Sequence, residues 1–200
     1  MNIELTSVGN DDVLISLLIR QVESRLGGGY LDRPTIQRLC YFGKIAGVPF
    51  EARFRLHYYG PYSEELSATL DRLVSEDAIV EARDDGREWT NLRSGAKLDS
   101  VLSAGHDAMI AADQRLEKFA DWFGQGRKES LELASTLHFV EQKLKASGDV
   151  RYLTFENLVN GCREIKGDRF SEWEIRRAYD DMASLGVTSA LESQYELVAG

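Results

Sequence analysis

The side chains of this sequence whose chemistry reaches beyond packing are three histidines, two cysteines, a few carboxylate pairs and three short glycine- or serine-containing motifs. His57, His106 and His138 lie far apart, and none has a second ligand at the H-E-x-x-H type of spacing that sets two metal donors on one helix face. Cys40 and Cys162 belong to no CxxC or Cys/His cluster and read as reduced thiols. Ser94-Gly95-Ala96-Lys97 has the bare S-x-x-K spacing in which a lysine deprotonates a serine, but the companion S-D-N and K-T-G elements are absent, so it reads as a helix start. Gly27-Gly28-Gly29 has no strand before it, and Gly124-Gln125-Gly126-Arg127-Lys128 lacks the GxxxxGK[ST] order that aims backbone amides at phosphate; both read as linkers. Glu64-Glu65 and Asp180-Asp181 suit a helix dipole and a solvated face better than acid/base work, which needs a cleft to separate their pKa values. No catalytic residue, metal or cofactor is expected.

One constellation points outward. From Phe50 the hydrophobic period is 2: Phe50, Ala52, Phe54, Leu56 and Tyr58 alternate with Glu51, Arg53, Arg55, His57 and Tyr59, the pattern of a half-buried strand. Its polar face sets Arg53, Arg55, His57 and Tyr59 in a row leading to Tyr62, a candidate partner-binding patch for an anionic or aromatic group. The competing reading is that the arginines pair with acids on neighbouring elements. Gly60-Pro61 is expected to turn the chain, and Ser63 to cap the helix that follows, with Glu64 and Glu65 at the positive end of its dipole.

The elements that position this patch follow from periodicity and caps. Asn10, Asp11 and Asp12 precede a helix with Ile15, Leu18, Ile19, Val22 and Leu26 on one face, ended by Gly27–Gly29. A second helix starts near Asp32 to Pro34 and is apolar on nearly every side, which places it in the centre of the core and makes Cys40 a buried thiol. The helix from Ser63 carries Leu66, Leu70, Leu73 and Val74. Ile79–Arg83 and Arg87–Leu92 bracket Asp84-Asp85-Gly86 as a hairpin. Helix, helix, strand, helix and hairpin are the parts of a winged helix-turn-helix unit. Beyond Lys97 the chain reads as helical. Leu102, Met109, Leu116 and Phe123, interleaved by Gly105, Ala112 and Phe119, form a heptad-like seam that packs on the N-terminal half or, alternatively, makes a dimer through residues 102–123. Leu133, Leu137, Val140 and Leu144 form the next stripe, up to Ser147-Gly148. Thr154 caps a short helix through Leu158, Val159, Cys162 and Ile165. Ser171 and Glu174 make a capping box with Phe170 and Ile175 as its staple, and Gly186 closes that last helix. The expected class is mainly α (α+β), with a winged-helix-like domain over 1–97 and a helical domain over 98–200 packed against it.

Charge tests what such a unit does. The 200 residues hold 24 Lys+Arg against 33 Asp+Glu, a net −9, which repels polyanions unless one face is locally basic. Residues 31–60 hold five bases and two acids, whereas residues 61–100 hold ten acids and five bases. The helix from Ser63 to Asp77, placed where a winged helix carries its DNA-reading helix, has Glu64, Glu65, Asp71, Glu76 and Asp77 against Arg72 alone. Phosphates would expel it from a major groove, and it lacks the side chains that read base edges. Val13–Ile19, the most apolar stretch, is far shorter than a membrane span, and no basic leader precedes it. A cytoplasmic protein without membrane partners is expected.

Arg38-Leu39-Cys40-Tyr41-Phe42, then His57-Tyr58-Tyr59-Gly60-Pro61-Tyr62-Ser63-Glu64-Glu65-Leu66, resembles the YwgA-like family of uncharacterised bacterial and archaeal proteins. Leu133–His138 and Arg169–Ile175 extend the resemblance into the second half. More distantly, residues around 34 to 92 resemble the Panacea domain of SocA-like antitoxins, with a tyrosine-serine version of the turn. The resemblance implies a non-catalytic prokaryotic regulator that recognises another protein, holding a toxin inactive or presenting it to a protease as an antitoxin or adaptor does. It maps onto Tyr58, Tyr59, Gly60, Pro61, Tyr62 and Ser63 as a structural turn. A DNA-binding regulator using the basic strand, or the segment with Arg163, Lys166, Arg169, Arg176 and Arg177, is the second expectation. An enzyme with a non-contiguous site is the third.

Overall fold

The computed structural model describes residues 8–26, 31–57, 60–83, 90–125, 128–146 and 153–188. In chain order these form α1 (Asn10–Leu26), α2 (Arg33–Ile45), β1 (Arg55–His57), β2 (Gly60–Tyr62), α3 (Glu64–Ser75), β3 (Ile79–Arg83), β4 (Thr90–Ser94), α4 (Leu98–Ala104), α5 (His106–Gln125), α6 (Lys128–Ala146), α7 (Phe155–Lys166), a 3-10 turn (Gly167–Arg169) and α8 (Glu172–Ser184). The fold is mainly helical with two two-stranded sheets, β1–β2 and β3–β4. It divides into two compact units, residues 1–57 with 61–131 and residues 58–60 with 132–200. The division falls thirty-odd residues beyond the expected one at 97/98, because α4 and α5 pack on α1 and belong to the first unit.

The centre of the first unit is α1. Every residue from Val13 to Ile19 is buried, Ser16 included, and each aliphatic side chain so placed contributes about 1.5–3 kcal/mol over exposure. The second helix was the expected centre, but it is sided: Ile36, Leu39, Cys40 and Phe42 face in while Ile45 and Lys44 lie toward solvent. Asp32 caps α2 through Thr35 N at 2.9 Å, with Pro34 in the first turn. Burial pushes the Cys40 thiol well above its ordinary value, with Asp11 adding to the effect. The N-terminus of α1 is tied by Asp12, which accepts from Gly9 N at 2.7 Å and from Arg72 of α3 while itself 1% exposed. Ala112, Leu116 and Phe119 of the heptad-like seam are buried, and α5 packs against α1 of the same chain. The seam is interrupted at Gly105, where an added Cβ would lie 2.2 Å from Val13 Cγ2. α4 thus ends and α5 begins beside α1, where the heptad spacing suggests one long helix.

The hairpin forms with a shifted register. Arg83 pairs with Thr90 and Ile79 with Ser94 in an antiparallel ladder, so the second strand reaches two residues past the expected end at Leu92. Asp84-Asp85-Gly86, like the stop at Gly27–Gly29 and the break at Ser147-Gly148, lies outside the described residues. Leu31, between α1 and α2, joins β4: its N–H reaches Asn91 Oδ1 at 2.8 Å, and its carbonyl accepts from Leu92 N at 2.8 Å.

In the second unit, Leu133, Leu137 and Val140 of α6, Leu158, Val159 and Cys162 of α7, and Ile175, Ala178, Tyr179 and Met182 of α8 form the core. Thr154 caps α7 through Asn157 N at 3.2 Å, and Ser171 with Glu174 completes the capping box of α8. Phe170 and Ile175, its staple, are both buried. Gly186, at φ 72°, lets Val187 N reach Met182 O at 2.9 Å and closes α8. Burial raises the Cys162 thiol to about 11 despite Lys166 and Arg163 nearby.

Candidate functional site

The candidate patch is built on an extended segment whose backbone is held mostly by side chains. Phe50 and Ala52 are buried, and Glu51, Arg53 and Arg55 exposed, so the alternation read in the sequence is real. The ladder, however, begins only at Arg55. Before that, the Asp11 carboxylate accepts from Glu51 N and Ala52 N, each at 2.8 Å. Lys44 Nζ donates to Ala52 O at 2.6 Å, and Glu65 Oε2 accepts from Arg53 N at 2.6 Å. Three charged side chains thus satisfy the backbone groups that a neighbouring strand would otherwise take. Beneath, Phe54 meets Tyr41 edge to face at 5.5 Å between ring centroids.

Gly60 has φ 117°, open to glycine without strain, and Gly60-Pro61-Tyr62 forms the short strand β2 paired with β1 where a plain turn was expected. Ser63 caps α3 through Leu66 N at 3.2 Å. The cap is itself clamped by the buried Gln37 amide, which donates to Ser63 O and accepts from Ser63 N, both at 2.9 Å.

The Arg53 guanidinium grips Glu65 Oε1 through Nε at 2.8 Å and Nη2 at 2.6 Å. That grip, with the Arg53 backbone N–H, holds the Glu65 carboxyl below the ordinary carboxylate range. Arg53 is therefore matched by an acid, whereas Arg55 is exposed and makes no ion pair among the described residues. Tyr62 is 42% exposed beside the start of α3. Tyr59 lies outside the described residues, and of His57 only its backbone place in β1 is described.

Arg33 behaves like Arg53. It grips Glu81 through Nε at 3.0 Å and Nη2 at 2.7 Å, reaches Asp71 at 2.7 Å, and holds Glu81 below the ordinary carboxylate range, with Thr90 Oγ1 assisting at 2.6 Å. The basic stretch 31–60 and the acidic stretch 61–100 are thus in good part partners of each other. On α3 the exposed residues include Glu64, Glu65, Ala68 and Asp71, while the only base, Arg72, turns in toward buried Asp12.

The bases of the C-terminal helices are also engaged. Arg163 pairs with Glu172 at 3.0 Å, and Lys166 and Arg169 share Glu132 at 2.7 and 3.1 Å. Arg176 lies 3.5 Å over the Phe155 ring, and Arg177 lies 5.4 Å from the ring of Trp173, which is 67% exposed. No group of three His, Cys, Asp or Glu side chains among the described residues is arranged to hold a metal ion, and none of their helices is long and apolar enough to cross a membrane.

Sequence reasoning missed Asp11, Lys44, Glu65 and Gln37 as the residues that shape the patch. Their partners lie 7 to 41 residues away, with no local pattern to betray them.

No protein-family profile matches the chain. It is similar to the uncharacterised protein YwgA of Bacillus subtilis (strain 168), at 24% identity over 114 residues, which is 57% of this chain and 68% of YwgA.

Proposed function

We propose that this is a non-catalytic, antitoxin- or adaptor-like regulatory protein that works by binding another protein. Its N-terminal unit serves as a winged-helix-like scaffold that does not dock on DNA through its third helix. The order α1, Leu31 bonded to β4, α2, α3, β3–β4 supports the scaffold. The observation that carries the reading is the solvent face of α3: Glu64, Glu65 and Asp71 are exposed, and Arg72, the base that would offset them, is drawn inward by Asp12. Such a face meets a basic protein surface favourably and a phosphate backbone unfavourably. Arg55 and Tyr62 at its edge supply a cation and an aromatic anchor, residue types over-represented among interface hot spots.

The test has two arms. Titration of mixed-sequence duplex DNA is expected to show no binding even at low salt; a steep negative slope of log K against log salt would instead make the protein a DNA binder. Affinity capture compares the wild type with Glu64→Lys/Ala68→Lys and with Arg55→Glu/Tyr62→Ala. All these positions are exposed, so the melting temperature is expected to stay put while the captured partner is lost.

A further inference from the structure

Within the second unit, α6 and α7 enclose an open groove of about 520 Å³. Its floor is apolar, formed by Phe139, Leu144 and Ile165. Val140 and Gly161 line it where the helices come closest, since a Cβ on Gly161 would lie 2.5 Å from Val140 Cγ1. The walls carry opposite charges: Lys143 on α6, and Glu164 with Asn160 on α7. In this unit Lys145, Arg163, Lys166 and Arg169 each reach a carboxylate within 4 Å. Among the described residues Lys143 does not; its ammonium lies 5.9 Å from the Phe139 ring centroid, on the groove floor. Glu164 is likewise without an ion-pair partner among the described residues. A cation and an anion without ion-pair partners among the described residues, on the two helices that line one apolar groove, match a ligand that brings both charges.

The size selects the kind of ligand. Small-molecule sites run to roughly 300–1,000 Å³, apolar with a few converging polar groups. We propose that the α6–α7 groove binds a small zwitterion with an apolar body, an amino carboxylate of the kind a hydrophobic amino acid exemplifies. Its carboxylate meets Lys143, its ammonium meets Glu164 with Asn160 beside it, and its hydrocarbon or ring lies on Phe139, Leu144 and Ile165.

Three matched probes test this on the full chain by saturation-transfer NMR and calorimetry: L-phenylalanine, phenethylamine, which lacks the carboxylate, and 3-phenylpropanoate, which lacks the amine. Phenylalanine is expected to bind saturably and at least about five-fold tighter than either single-charge analogue. Lys143→Gln should remove its advantage over phenethylamine, and Glu164→Gln its advantage over phenylpropanoate; both side chains are exposed, so folding is not at stake. Asn160→Phe, which fills the groove, should abolish binding of all three. The proposal is overturned if none of the probes saturates by about 10 mM. It is equally overturned if the two charge variants leave phenylalanine affinity unchanged, or if the filled groove still binds.

Discussion

At the scale of single residues, the informative side chains are buried polar groups whose partners lie far off in sequence. Asp12 is 1% exposed and holds both the Gly9 N–H and the Arg72 guanidinium. Arg72→Met would leave that carboxylate without its cation. Removing one member of a fully buried pair costs about 3–5 kcal/mol, but the Arg72 side chain is 36% exposed and partly screened, so about 1–3 kcal/mol is expected. Urea unfolding measures it, and Asp12→Asn in the same chain should recover part of the loss; a neutral single variant would show that the pair does not hold α3 to α1. His138 gives a pH dependence. It is buried, and desolvation lowers its pKa, with Lys145 acting in the same direction and Glu141 opposing. The unfolded chain takes up a proton near pH 6.5 while the folded chain resists it, so stability is whole above that pH and falls as pH drops through it. From pH 7.5 to 5.5 the wild type should lose more stability than His138→Gln, by at most about 1.4 kcal/mol, the limit for a group that stays neutral over one pH unit. Parallel unfolding curves for the two proteins at both pH values would assign the buried imidazole no such role.

At the scale of elements, two glycines set how closely parts of the first unit approach, and they differ in what can relieve a larger residue. Gly105 faces the side chain of Val13, which truncation can shorten, while a Cβ at Gly95 would lie 2.4 Å from the backbone oxygen of Asp77. Gly105→Ala should destabilise by about 1–3 kcal/mol, and Val13→Ala should recover part of that, giving a double variant less costly than the sum of the singles. Gly95→Ala should be destabilising with no rescue from any side-chain truncation, because the obstacle is main chain. Thermal or urea unfolding of the four variants decides it; strictly additive Gly105 and Val13 effects would mean that α4 shifts away freely. The same contrast explains what the sequence could convey. Ser171, Glu174, Phe170 and Ile175 are neighbours along the chain, so the start of α8 was legible in full, as were the caps at Ser63 and Thr154. Phe50 to Leu56 showed a correct inside and outside but not the absence of a ladder before Arg55, because Asp11, Lys44 and Glu65 replace the missing strand. The hairpin was legible as two strands around a polar tip, but its register rests on cross-strand pairs that no local turn signal fixed. At the candidate patch, Arg53, Arg55 and Tyr62 are exposed, while the Arg53–Glu65 pairing that leaves Arg55 without an ion pair among the described residues needed the fold.

For the whole molecule, the question is which apolar surface closes within one chain and which is left for others. The seam from Leu102 to Phe123 has heptad spacing, and such a seam joins two chains when each offers the same stripe. Here α5 lies against α1, with Leu116, Phe119 and Ala120 buried, and the polar flank of α5 fastens the packing as Arg25 of α1 meets Asp121 and, at 2.8 Å, Glu117. Arg25 is held charged by both acids, the hydrogen bond to Asp121 being the largest contribution. A seam closed inside the chain makes stability independent of protein concentration, whereas a seam between chains ties unfolding to dissociation and raises the midpoint with concentration. The thermal midpoint should therefore stay constant over a hundred-fold range of concentration, and Leu116→Asp should unfold the first unit at every concentration, since it buries a carboxylate against α1. A midpoint that climbs with concentration, together with a folded Leu116→Asp monomer, would move the seam from the core of one chain to an interface between two.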